Sequence, residues 1–97
     1  MSREKAFQAL ISELTCALER LAPRFQAKVR GVDILYIEHY HELIPTALSV
    51  KVVSNNGYFG SAAIGLSQAA GLNLDIIAAF LLGAGLADAD KYQEREY

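Results

Sequence analysis

The sequence predicts an α+β fold, with an N-terminal amphipathic helix, a small antiparallel sheet of two or three strands, and a C-terminal helical hairpin. Three observations predict it. Apolar residues recur at helical spacing over the first 22 positions, and β-branched and aromatic residues gather between positions 26 and 54. Small and apolar residues then run from 61 to 86. Grouping the strands between helices argues against repeated βαβ units. The 97 residues suit a single domain, 1–97, that buries roughly two-thirds of its unfolded surface.

The first element is a helix over residues 2–22. Ser2 can cap its start and Pro23 stops it. Phe7, Ile11, Leu14, Leu18 and Leu21 form one apolar stripe, with Leu10 beside them, and Glu13, Glu19 and Arg20 lie opposite. The stripe is expected to face the domain's own sheet, although its spacing would also suit a short two-helix seam. Strands occupy residues 26–54. Val32–Ile37 is β-branched and aromatic, and Leu48–Val53 begins with apolar–polar alternation. Gln26–Arg30 is a candidate earlier strand, with Gly31 marking a bulge or turn. Pro45 falls in the link 38–47, which is short enough for an antiparallel connection but long for a tight hairpin.

Asn55-Asn56-Gly57 is a turn signal. Two helices are expected after it, over 61–70 and 74–86. Gly71 would close the first, Asn73 would cap the second with Asp75 in its first turn, and Gly83 and Gly85 mark its end. The second is apolar nearly all round, so Ile77 and Phe80 are expected to supply core. Residues 88–97 form a charged, frayed tail.

An apolar fraction of 53% with 21% charged residues excludes a disordered chain and is rich for so small a domain. The net charge of −2 is unevenly spread. Residues 1–30 hold six cations and three carboxylates, and residues 31–97 hold three cations and eight carboxylates. Only the segment with Arg20, Arg24, Lys28 and Arg30 offers cations for weak phosphate contact, so no specific nucleic-acid partner is expected. Cys16 stands alone, which precludes an intrachain disulfide. The N-terminal helix is amphipathic where a signal peptide would be apolar, and together these features predict a cytoplasmic protein. The stretch 62–87 is long enough to span a bilayer, but Gln68, Asn73 and Asp75 near its middle assign it to the core, with no membrane partner.

No motif carries chemistry. His39 and His41, in Glu38-His39-Tyr40-His41-Glu42, would share a face if a strand ran through them. They are the candidate metal ligands, but a third and a fourth ligand are missing. Cys16, with either histidine as base, sits mid-helix, where nothing lowers its pKa. Asp33, Glu38 and Glu42 are not distinguished from ordinary carboxylates. Asp88-Ala89-Asp90 lacks the glycine and glutamate of a calcium loop. Gly57, Gly60 and Gly65 match no phosphate loop. Ser67-Gln68-Ala69-Ala70-Gly71-Leu72-Asn73 resembles the turn of a helix-turn-helix unit, which implies a transcription regulator. The helix after it opens Leu74-Asp75-Ile76-Ile77, without the polar readers that base edges require.

The expectation that follows is a non-enzymatic protein without a cofactor, acting through protein–protein contacts. An inhibitor, adaptor or accessory factor of bacterial or phage origin would fit. Its apolar excess points to a homodimer, and Tyr36, Tyr40, Tyr58, Phe59 and Phe80 are the candidate contact residues. The alternatives are a nucleic-acid-associated regulator using Arg20–Arg30 and a metal protein using His39 and His41.

Overall fold

A computed structural model describes residues 3–94. The expected cap Ser2 and the last three residues, among them Tyr97, lie outside that range. The chain runs α1 (Arg3–Leu21), a 3-10 turn (Ala22–Phe25), β1 (Lys28–His39), β2 (Glu42–Val53), β3 (Phe59–Gly65), α2 (Leu66–Ala69) and α3 (Leu74–Glu94). The fold is α+β, with one antiparallel sheet in the order β1-β2-β3.

The heptad-like stripe of α1 faces the sheet and α3, as expected. Leu14 and Leu18 are fully buried, and Leu10 and Leu21 pack at their margin. Pro23 ends the α-helical hydrogen bonding, and Gln26, at φ 54°, turns the chain into β1. Leu48, Val50 and Val52 alternate along β2 and are buried. Ile34, Val32 and Val29 oppose them on β1, and Ile64 and Ala62 oppose Leu48 and Val50 on β3. These side chains meet Leu14, Ala17 and Leu18 of α1 and Ile77, Ala78, Leu81 and Leu82 of α3 in one core. Asp33, Lys51 and Ser61 line the opposite, uncovered face of the sheet.

The helix α3 lies unusually close to the sheet. A Cβ on Gly60 would stand 2.0 Å from the carbonyl oxygen of Gly85 and 2.5 Å from the amide nitrogen of Ala89. A Cβ on Gly85 would stand 2.7 Å from Val52 Cγ2. Small residues on both elements allow this approach. Ser61 donates its amide hydrogen to Asp88 Oδ2 at 2.8 Å, tying the edge of β3 to the helix.

Four expectations are corrected. Residues 61–65 form the last part of strand β3, and helix follows only over Leu66–Ala69. The strand pairs with β2 from Val53↔Phe59 to Ala47↔Gly65, and its small residues answer to the nearness of α3. The long link 38–47 does not exist. β1 and β2 pair out to His39↔Glu42 and are joined by Tyr40-His41 alone. Pro45 lies within β2, beside a bulge where Thr46 is the extra residue. There the Thr46 hydroxyl donates to the Leu35 carbonyl at 3.2 Å. Finally, α3 does not stop at Gly83 and Gly85 but continues to Glu94, so residues 88–94 are helical.

Other local signals hold. The expected strand 26–30 begins only at Lys28, since Gln26 and Ala27 belong to the turn before it, and it joins Val32–Ile37 in one strand whose register shifts between Val29 and Gly31, the bulge expected there. Gly57, at φ 86°, closes the turn after β2 by donating to the Ser54 carbonyl. Asn73 Oδ1 caps α3 by accepting from the Ile76 amide at 2.9 Å, and Gly71, at φ 87°, follows α2.

Candidate functional site

The outer half of the β1–β2 hairpin is an arm. All ten residues from Leu35 to Ile44 are exposed, although the run contains Leu35, Tyr36, Ile37, Tyr40, Leu43 and Ile44. Strand pairing assigns them to both faces. Tyr36↔Pro45 and Glu38↔Leu43 continue the face that α1 covers further in, and Leu35 and Ile37↔Ile44 lie on the other. Such a continuous apolar run belongs to a strand buried on both sides. In this chain neither side is covered among the described residues.

The arm extends the molecule. Its dimensions are 47 × 29 × 20 Å and its radius of gyration is 14.2 Å, against about 12.5 Å for a compact domain of this length. The accessible surface is 6654 Å², and size scaling gives about 5500 Å² for a compact chain of this mass. At the arm's root its inner face and the N-terminal half of α1 border an open groove of about 670 Å³, with Phe7 and Ile11 opposite Tyr36, Leu43 and Pro45.

The turn at the tip is itself unusual. Tyr40 and His41 have φ of 48° and 63°, so both occupy the left-handed region that two-residue hairpins demand and that Asn-Gly normally supplies. The backbone thus presents an 85%-exposed tyrosine at the furthest point. The His39 ring meets the Tyr40 ring edge-on at 4.3 Å. His41 Nδ1 lies 4.0 Å from Glu38 Oε1. The strand does not run on through His41, so the premise for placing the two histidines on one face fails. Among the described residues no three His, Cys, Asp or Glu side chains are grouped to hold a metal ion.

The remaining candidate residues lie elsewhere. Tyr58 is half-buried, and Phe59 is exposed beside a second groove that Asp88 and Tyr92 also line. Phe80 is 51% exposed and is therefore not core, whereas Ile77, one turn back, is buried as expected. Together with Ile76, and with Leu72 in the turn before the helix, Phe80 makes an apolar stripe along the outside of α3. The structure thus divides the five contact candidates among three surfaces.

The basic segment is divided as well. Arg20 forms an ion pair with Asp75 at the start of α3, so that carboxylate does more than complement the helix terminus. Arg24 sits in the 3-10 turn, and Lys28 and Arg30 open β1. The helix-turn-helix resemblance loses its first helix, because α2 is a single turn of four residues. Cys16 is exposed on α1. No helix among the described residues is long and apolar enough to cross a membrane.

Leu35, Ile37, Leu43 and Ile44 were absent from the sequence-based contact set. The signal for them was the unbroken apolar run Ile34-Leu35-Tyr36-Ile37 in a chain with too few elements to bury both of its faces. No protein-family model, curated protein or solved structure matches this chain.

Proposed function

We propose that this chain works by protein–protein contact, as an inhibitor, adaptor or accessory factor, and that its β1–β2 arm is the contact surface. The observation that carries the reading is the ten-residue exposed run Leu35–Ile44, which carries large apolar side chains on both faces of a two-stranded ribbon. Exposed apolar area of this kind is costly in water and characterises interaction surfaces. Tyr36 and Tyr40 add rigid side chains with a polar end, the type that anchors interfaces.

A photo-crosslinking residue at Ile37, irradiated in the cell of origin, tests the proposal. The expected result is one dominant protein adduct that disappears when Leu35 and Leu43 become aspartate. The same label at Glu13, exposed on α1, is the control. Equal labelling from both positions, or no adduct from the arm, would refute the reading. The mass of the adduct separates a second copy of this chain from a different protein.

A further inference from the structure

We infer that the open edge of β1 pairs antiparallel with the same edge of a second copy, so that two chains build one six-stranded sheet. The inference rests on reading the arm as a contact surface, and it names the partner.

β1 is an outer strand of 12 residues, roughly 40 Å long, and nothing pairs with its far side among the described residues. Isolated edges are normally blunted by lysine, proline or a bulge. In β1 the bulge falls at Arg30, and the later irregularity inserts Thr46 on the other strand. From Gly31 to His39 the edge is therefore regular. It contains neither lysine nor proline, and only Asp33 and Glu38 are charged before the final histidine.

Charge is segregated between the two ends of the edge. Lys28 and Arg30 stand at the start of β1, and Glu38, with Glu42 across the turn, stands at its end. All four are exposed. Antiparallel pairing of two copies brings the basic start of each strand to the acidic end of the other, with Lys28 and Glu38 on opposite faces of the sheet and Asp33 near its own copy at the two-fold axis, and symmetry repeats the arrangement. Parallel pairing would set like charges together. The arm also gathers six of the chain's large exposed apolar side chains, Leu35, Tyr36, Ile37, Tyr40, Leu43 and Ile44, beside this edge.

The test is sedimentation of the full chain at about 50 μM. The wild type is expected at twice 10.6 kDa. Two variants reverse the charges, K28E/R30E at the start of β1 and E38K/E42K at the tip. Each alone is expected to raise the dimer dissociation constant at least about tenfold, since like charges then face each other across the seam. Mixed together they should form a heterodimer within about threefold of wild-type affinity, because each acidic end meets a basic one. Circular dichroism of each variant checks that the fold is retained. The inference is overturned by a monomeric wild type, by variants that dimerise alone as well as the wild type, or by a mixture that does not recover. A dimer abolished by I76D/F80D but indifferent to the charge reversals would overturn it too, in favour of the α3 stripe. A monomeric wild type whose Ile37 label captures a different protein would sink self-pairing and leave the contact role of the arm intact.

Discussion

Replacing Gly60 by alanine adds a single methyl group, yet it should be among the most damaging small changes the fold can receive. The new Cβ would lie 2.0 Å from the Gly85 carbonyl oxygen and 2.5 Å from the Ala89 amide nitrogen. Ordinary contact begins near 3.4 Å, so β3 and α3 would have to part by more than 1 Å. Both obstacles are backbone, and no rotamer change can clear them. The helix side of that contact carries Leu81 and Leu82, which are fully buried, and the sheet side carries Val52. Overpacking a core commonly costs about 1–3 kcal/mol, and a clash between two backbones belongs at or above the top of that range. For a domain of this size 3 kcal/mol lowers the melting temperature by about 12–24 °C. Gly85→Ala should cost less, about 1–3 kcal/mol, because its 2.7 Å obstacle is the Val52 side chain. Gly83→Ala provides the opposite sign. It is exposed, and its nearest neighbour would be Phe25 at 4.0 Å, so removing a helical glycine should stabilise by about 0.5–1 kcal/mol. Thermal melts of the three variants, followed by circular dichroism, check the order. A Gly60→Ala protein that melts like the wild type would refute the close packing of α3 on β3.

Three further outcomes are expected. Exchanging Tyr40-His41 for Asn-Gly should stabilise the hairpin by about 1–2 kcal/mol in urea titration, because both positions have positive φ, and an unchanged midpoint would contradict that turn geometry. Ile77→Ala should cost about 2–5 kcal/mol, and Phe80→Ala should cost about 1 kcal/mol or less. Equal losses in the same titration would place Phe80 in the core after all. Asn73→Ala should cost about 1 kcal/mol by removing the cap on the Ile76 amide, and hydrogen exchange at that amide should quicken.

Legibility followed the signal in each segment. The α1 helix could be read because its stripe of five residues repeats over about four turns and the helix ends before a proline. The cap at Asn73 and the turn at Gly57 could be read because each depends on a side-chain property of one residue. β3 could not be read. Its Ser-Ala-Ala sequence reflects the space under α3, a tertiary constraint that overrides strand propensity. The same constraint disguised Gly85 as a helix end, although its missing Cβ serves Val52. The tip was hidden because Tyr40-His41 carries none of the usual turn chemistry, and Pro45 looked like a link because the bulge at Thr46 was invisible. Of the contact candidates, Tyr36 and Tyr40 lie on the arm, and the run Ile34–Ile37 shows a strand without showing that its aliphatic residues stay uncovered. Sequence period tells which residues share a face, but not whether another element lies over it.

The hydrogen bond from the Ser61 amide to the Asp88 carboxylate makes the two margins of the sheet unequal. On the β3 side the Asp88 carboxylate takes the Ser61 amide, and among the described residues nothing pairs with the outer side of β1. A sheet that can grow at one margin alone reaches its limit after a single symmetric addition, whereas one that can grow at both has no limit and becomes a fibre. If the β1 edges pair as inferred, Asp88 would help to keep that pairing to a single addition, and a chain that lost it would leave the Ser61 amide free to pair with another strand.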